Sequence, residues 1–109
     1  MNDKRQDLLQ GTLDLLVLKT LGQGPAHGYA LAQKISLSSR GVLEVQQGSL
    51  YPALHRLERK GLAKSEWREG ESGRMAKVYS LTAAGKKQLQ AELEEWRRYT
   101  NAIGWVLES

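Results

Sequence analysis

The sequence contains no cysteine, which excludes disulfide bonds, thiolate zinc sites and cysteine nucleophiles. It also lacks any apolar run approaching the roughly 20 residues that a membrane-spanning helix requires. Residues 1–7 are polar, so the apolar segment of a secretory signal is not indicated either. These absences predict a protein of the cytoplasm with no membrane partner.

Histidine is scarce, because only His27 and His55 could serve as imidazole bases. Neither has a carboxylate or second ligand at the spacing that a metal or nucleophile site needs. The glycines from Gly22 to Gly28 only resemble a dinucleotide-binding loop, with one residue too many and a helix where a strand is required before them. We therefore expect no enzyme, with no catalytic residues, no metal site and no cofactor.

The chain has 109 residues, of which 40% are hydrophobic and 26% charged, and this composition predicts a single globular domain. The net charge of +4 is unevenly distributed: residues 1–46 carry +1, residues 47–81 carry +3 and residues 82–109 carry 0. A clustered basic patch attracts phosphate by releasing condensed counterions. A patch of this size is also common on small soluble domains, so the charge alone supports a nucleic-acid-binding surface and an ordinary basic surface about equally.

Two helices are predicted in the first third of the chain. The first, from Asp7 to Leu21, has apolar residues on two faces: Leu9, Leu13, Leu16 and Val17 on one, and Leu8, Thr12 and Leu15 on the other. A monomer needs only one such face, so the second suggests a partner. Glycine and proline in residues 22–25 end this helix, a second helix runs over residues 27–37, and residues 42–45 are β-branched enough for a minor strand.

A third helix and a β-hairpin follow. Leu50, Leu54 and Leu57 give the third helix a clear inner face, and Pro52 is expected in its first turn, where the missing N–H costs little. Residues 62–68 alternate, with Ala63, Ser65 and Trp67 on one side, and residues 76–81 repeat the strand pattern after a glycine-containing loop. This order of elements is typical of a winged helix-turn-helix.

The last predicted helix covers residues 83–107, with Thr82 as its N-cap. It carries a heptad seam of Leu89, Leu93, Trp96, Thr100, Ile103 and Leu107. Such a helix is about 37 Å long, more than a compact domain of three short helices can cover, so we expect a homodimer; the alternative is that the helix folds back on its own domain. The predicted fold is mainly α with a small β-hairpin: a DNA-binding domain at 1–81 and a dimerisation helix at 82–109, packed with the first helix as one structural unit.

The third helix has the dimensions to enter the major groove of B-DNA. The side chains best placed to reach bases are those near its N-terminus and on its outer face: Gln47, Ser49, Pro52, His55 and Arg56. Glutamine can address adenine, and arginine can address guanine. The alternatives are that His55 is merely solvated and that Arg56 pairs with a nearby acid such as Glu58. On the wing, Arg74 and Lys77 would position the protein on the backbone, while Glu69 and Glu71 weaken that contribution.

Three strings, AHGYALAQKI, GSLYPALHRLERKGL and KVYSLTAAG, resemble the PadR family of bacterial transcriptional regulators in order and separation. The single helix after the wing is similar to the short subfamily. The resemblance implies a winged-helix dimer that usually represses transcription and releases its operator when a small molecule binds. It also assigns Tyr29 to the helix that supports docking, Ser49, Tyr51 and His55 to the recognition helix, and Arg74 and Lys77 to the wing.

Multidrug-responsive members of that subfamily carry a tryptophan pair at the dimer centre that stacks planar ligands, and Trp96 occupies the matching part of the last helix. The resemblance implies that Trp96, with Leu8, Leu15 and Tyr99, lines an apolar pore suited to flat aromatic molecules; the alternative is that Trp96 only packs the seam. The leading hypothesis is a ligand-responsive repressor that binds a palindromic operator in double-stranded DNA as a homodimer. The alternatives are a winged-helix protein-interaction module and a weakly specific architectural DNA binder.

Overall fold

Four helices and three short strands form the part of the chain that the computed structural model describes, which is the backbone from Asp3 to Ser109 and the side chains from Gly11 onward. In chain order the elements are α1 (Asp3–Leu21), β1 (Ala26–His27), α2 (Gly28–Ser38), α3 (Gln47–Arg59), β2 (Ala63–Glu69), β3 (Met75–Leu81) and α4 (Ala83–Glu108). The mainly helical architecture with a β-hairpin and a long last helix is confirmed. No helix among these residues is both long and apolar enough to cross a bilayer.

Local capping contacts fix several helix ends. The first helix ends where expected, with the Gly22 N–H donating to the Leu18 carbonyl at 2.9 Å. At the start of α2, His27 Nδ1 accepts a 3.4 Å hydrogen bond from the Ala30 N–H. The predicted N-cap of α4 is confirmed, because Thr82 Oγ1 accepts from the Gly85 N–H at 3.0 Å. The same hydroxyl donates to the Gly61 carbonyl at 2.6 Å, which ties the start of α4 to the end of α3.

The sheet has three antiparallel strands in the order β1-β3-β2. Its third strand is β1, in which Ala26 pairs with Tyr79, and the strand predicted at residues 42–45 is wrong. That segment is irregular, and the Ser39 hydroxyl holds Leu43 by accepting from its N–H at 3.0 Å, while the hydroxyl proton is shared between the carbonyls of Ser36 at 3.1 Å and Leu43 at 3.4 Å. A side chain thus supplies hydrogen bonds that a neighbouring strand would otherwise provide.

The core lies where α1, α2 and α3 meet the sheet. Its largest fully buried side chains come from α1 (Val17 and Leu18), α2 (Leu31) and α3 (Leu50, Leu54 and Leu57). The predicted inner face of α3 is therefore confirmed. Because the three leucines of α3 are spaced at i, i+4 and i+7, the opposite face of the helix, with Pro52 and His55, is left for solvent.

Helix α4 extends beyond this core. Its 26 residues make it about 39 Å long, and its buried residues are Gly85 and Leu89, both in the first two turns. The longest dimension of the chain is 57 Å, and the Cα radius of gyration is 15.2 Å, against about 13 Å for a compact domain of this length. The C-terminal part of α4 therefore projects past the core, although Trp96 and Tyr99 still line a groove with α1.

Candidate nucleic-acid interface

The outer face of α3 is exposed along its whole length. Its exposed side chains include five of those predicted to contact DNA: Gln47, Ser49, Tyr51, Pro52 and His55. Pro52 is not in the first turn as predicted, because α3 begins at Gln47 and Pro52 is its sixth residue. A proline there has no N–H for the carbonyl of Gly48, four residues earlier. That carbonyl lies on the exposed N-terminal turn, where solvent can satisfy it.

Tyr51 packs α3 against the start of α2. Gly28 is buried there, and a Cβ placed on it would lie 2.8 Å from the Tyr51 Oη and 2.9 Å from the nearest ring carbons. Only a residue without a side chain permits that approach. The next residue, Tyr29, is exposed at the same end of α2. The motifs containing Gly28 and Tyr51, separate in sequence, thus form one surface with the exposed face of α3.

Arg56 is held within the protein. Its guanidinium donates two hydrogen bonds to the Asp14 carboxylate of α1, Nε to Oδ2 at 3.2 Å and Nη2 to Oδ1 at 2.7 Å. The pKa of Arg56 is raised, chiefly by this hydrogen bond. The alternative that Arg56 pairs with an acid is therefore observed, with Asp14 as that acid. The acid suggested as its alternative partner, Glu58, instead accepts a 2.7 Å hydrogen bond from the Ser65 hydroxyl.

The hairpin packs one face against α3. In its register Ser65 is opposite Tyr79 and Trp67 is opposite Lys77, and cross-strand partners lie on the same face of the sheet. The contact between Ser65 and Glu58 shows that this face meets α3. Burial raises the pKa of Tyr79, with further increases from the nearby charges of Glu58 and Tyr51 on α3.

The outer half of the hairpin carries charged residues on both faces. On the face away from α3, Arg68 is paired with Glu66. On the face toward α3, the Lys77 ammonium lies 5.7 Å from the centroid of the Tyr79 ring. Arg74 is exposed in the tip, where the Gly70 N–H donates to its carbonyl at 2.8 Å. Of the two predicted wing cations, Lys77 thus lies on the inner face of the hairpin, which is the face toward α3, and Arg74 lies at the tip.

Two exposed apolar side chains on the hairpin were not among the predicted contacts. Trp67 is 63% exposed and Met75 is 57% exposed, and the register places both on the face toward α3. The alternation that assigns Trp67 to the side of Ala63 and Ser65 was visible in the sequence. The alternation could not show that Trp67 lies outside the core, because its burial depends on how far the neighbouring helix extends along the strand.

A second candidate site is a groove between α1 and α4 with a volume of about 350 Å³. It is lined by Gly11, Thr12 and Leu15 of α1 and by Glu92, Glu95, Trp96 and Tyr99 of α4. The rings of Trp96 and Tyr99 are 6.1 Å apart and inclined at 42°. The second apolar face of α1 is thus partly covered within the chain itself, since Leu15 is only 8% exposed. Leu8 lies outside the residues whose side chains the structure describes.

The heptad seam of α4 divides into two parts. Leu89 is buried in the core of its own domain, where its Cδ2 lies 2.9 Å from the position of a Cβ on Gly22, so its assignment to the seam is corrected. Leu93 is half-buried against the same core. Beyond them Trp96, Ile103 and Leu107 are exposed. The Thr100 hydroxyl donates a 3.0 Å hydrogen bond to the Trp96 carbonyl within the helix. Because the hydroxyl is satisfied there, the methyl group of Thr100 is compatible with an apolar seam.

A buried support helix, an exposed recognition helix and a β-hairpin that packs beside it define a DNA-binding winged-helix regulator. The family model described as "Transcriptional regulator PadR-like family" matches residues 17–91, and the chain belongs to that family.

Individual relatives agree with this assignment. The chain is 36% identical over 96 residues to a transcriptional regulator of Mycobacterium tuberculosis, covering 85% of this chain and 86% of the relative. Its structure is similar to that of a PadR family transcriptional regulator from Eggerthella lenta, with a TM-score of 0.79, 36% identity and coverage of 99% and 92%. A transcriptional regulator from Clostridium thermocellum has a TM-score of 0.82, with 28% identity and coverage of 90% and 95%.

Proposed function

We propose that this protein is a ligand-responsive repressor that binds a palindromic operator as a homodimer. The observation that carries the proposal is the exposed apolar stripe on the projecting half of α4, next to the groove between α1 and α4. An unpartnered stripe of this kind is unstable in water unless another surface covers it. A second copy of the same helix supplies a surface with matching heptad spacing.

Dimerisation would also compensate for the weak DNA binding expected of a single recognition helix. One α3 with a modest basic excess makes few phosphate contacts, so a monomer should bind weakly and with little selectivity. Two copies related by a twofold axis present two recognition helices to successive major grooves, and such an arrangement reads a palindromic site. The exposed residues Gln47, Ser49 and His55 are the proposed base-reading side chains, with Tyr51 and Pro52 beside them. Tyr29, Arg74 and Lys77 are proposed to contact the backbone.

The groove is proposed to bind a planar aromatic molecule. Its volume of about 350 Å³ is at the small end of the range typical of ligand pockets, roughly 300–1,000 Å³. Trp96, Tyr99 and Leu15 supply apolar walls, and Trp96 and Tyr99 offer ring faces for stacking. The carboxylates of Glu92 and Glu95 also line the groove, and they favour a ligand with a positive charge.

Helix α1 offers a route by which a ligand could change DNA affinity. It contributes Leu15 to the groove and, one residue earlier, Asp14 to the ion pair with Arg56 of α3. Helix α4 follows the hairpin directly, through Thr82. A ligand that separates α1 from α4 would therefore move the supports of both recognition helices, and a changed half-site spacing would lower operator affinity.

The test starts with selection of duplexes from a random library, followed by mobility shifts on the selected and scrambled sequences over a range of salt concentrations. We expect salt-dependent preference for a palindrome and two subunits per duplex. Equal affinity for scrambled DNA would favour an architectural binder, and no binding to any duplex would favour a protein-interaction module. Either result would overturn the operator model. Reduced transcription from a promoter that overlaps the selected site would establish repression, and increased transcription would overturn it.

Ligand binding is tested with acridine orange as the probe. The dye is titrated with the protein in the absence of DNA, and its anisotropy is measured. We expect binding by the native protein and loss of binding in Trp96→Ala. The dye is then added to the complex with DNA. If the dye also releases the Trp96→Ala variant from DNA, the release is caused by dye bound to the DNA. If the dye releases only the native protein, the result supports the groove as the effector site.

A further inference from the structure

Trp67 is an exposed indole in the middle of the hairpin, on a part of the sheet that no helix covers among the residues the structure describes. Met75 is exposed nearby on the same face. Exposed tryptophan is uncommon on a small domain, since the side chain presents a large apolar area to water. This pair therefore marks a surface on which a partner would remove apolar area from solvent.

The position of Trp67 relative to α3 follows from the strand register. Ser65 lies two residues earlier on the same face and contacts Glu58 of α3. Side chains two residues apart on one face of a strand are separated by about 6.6 Å, so Trp67 lies just past the edge of the contact between sheet and helix. The face of the hairpin that carries Trp67 is the one that meets α3, the helix proposed to enter the major groove.

One cation lies directly across the hairpin from Trp67. Lys77 is directly opposite Trp67, and among the described residues no carboxylate lies within ion-pair distance of its ammonium. On the other face of the hairpin, Arg68 is already paired with Glu66. Glu69 also shares the Trp67 face, opposite Met75 and nearer the tip, so a carboxylate flanks Trp67 on that side. The middle of the inner face thus combines an indole with a cation whose ammonium lies over the Tyr79 ring and has no carboxylate partner among the described residues.

We infer that Trp67 contacts duplex DNA beside the segment that α3 reads, with its ring against deoxyribose and its Nε1–H donating to a phosphate that Lys77 also approaches. Phosphate and sugar contacts of this kind fix the register of a protein on the duplex, and an indole supplies both an apolar face and a donor. The inference rests on the proposed function, because it requires α3 to occupy the major groove. It adds an apolar contact to a wing otherwise expected to act through charge.

The experiment compares Trp67→Ala and Lys77→Ala with the native protein on a duplex selected from a random library, at several salt concentrations. We expect Trp67→Ala to weaken binding about tenfold at every salt concentration, leaving the slope of log affinity against log salt unchanged. Lys77→Ala should reduce that slope by about one, because one phosphate contact is lost. Thermal unfolding of each variant verifies that the hairpin is intact.

Two controls make the result specific. The double variant Glu66→Ala/Arg68→Ala preserves net charge and alters the opposite face, so it should retain native affinity. Adding DNA should change tryptophan fluorescence in the native protein and in Trp105→Phe, but much less in Trp67→Phe. Unchanged affinity in Trp67→Ala, or an equal fluorescence change in Trp67→Phe, would overturn the inference while leaving operator binding by the native protein in place. Absence of binding by the native protein would reject the proposed function and this inference together.

Discussion

The hydroxyl of Tyr51 lies 2.8 Å from the point that a side chain on Gly28 would occupy. This relationship couples the N-terminus of α2 to the exposed face of α3 without a hydrogen bond or an ion pair. The space available at Gly28 sets the position of the Tyr51 ring. Tyr51 is half-exposed, so it can move away when that space is filled, and the surface proposed to meet DNA would change with it.

Gly28→Ala is therefore expected to impair DNA binding more than stability. The new Cβ must displace the Tyr51 ring, whose flexible outer end can move at a cost of about 1 kcal/mol or less in the free energy of unfolding. DNA affinity, measured by mobility shift, should fall about tenfold because a proposed contact is displaced.

The double variant Gly28→Ala/Tyr51→Ala tests the coupling. If Gly28→Ala acts through Tyr51, the two changes are non-additive, and the double variant binds no more weakly than Tyr51→Ala alone. Additive losses would show that Gly28 acts through another part of α2.

Asp14→Asn should destabilise the protein by about 1–2 kcal/mol, because it removes the negative charge and one of the two acceptor oxygens of a pair that solvent screens only partly. The side chains of Arg56 and Asp14 are 24% and 19% exposed. Urea denaturation at a fixed protein concentration measures the change, since the stability of a dimer depends on concentration.

The matched control is Glu95→Gln, which alters the pair between Arg98 and Glu95. Those side chains are 81% and 73% exposed and their closest N–O distance is 3.4 Å. Water screens such a pair, so we expect a change of about 0.5 kcal/mol or less. Equal effects of the two substitutions would contradict a structural role for the pair between Asp14 and Arg56.

Gly85→Ala should be strongly destabilising, although alanine has the better helix propensity by about 1 kcal/mol. Its Cβ would overlap the carbonyl oxygen of Leu62, and a backbone atom cannot rotate away as a side chain can. A loss of more than about 2 kcal/mol is expected from displacing the start of α4. Gly48→Ala, with no atom within 4 Å of the new Cβ, should be neutral or stabilising in the same thermal unfolding measurement.

Ile103→Glu should dissociate the proposed dimer. Each subunit would place an uncompensated carboxylate in the apolar seam, and we expect the dimer dissociation constant to rise on the order of 100-fold. Analytical ultracentrifugation measures it directly. Trp105→Glu is the control, because Trp105 is exposed but lies off the heptad spacing. Dissociation by Trp105→Glu and not by Ile103→Glu would place the subunit contact on another face of α4.

Features that depend on residues close together in the chain were predictable from the sequence. The Gly-Pro end of α1, the leucine face of α3 and the Thr82 cap all follow from contacts within a few residues. The helical period and the capping chemistry are local, so the sequence alone contains the information that fixes them. The resemblance in motifs such as GSLYPALHRLERKGL was specific enough to indicate the family.

Tertiary structure decided the features that join distant segments. Arg56 and its partner Asp14 are 42 residues apart, and no local spacing distinguishes that acid from Glu58. The third strand is β1, not residues 42–45, because Ala26 pairs with Tyr79, a residue far along the chain. Leu89 belongs to the core and not to the seam because Gly22 leaves room for it. Sequence thus determined which faces are apolar, whereas packing between distant segments determined which of those faces are covered within the chain.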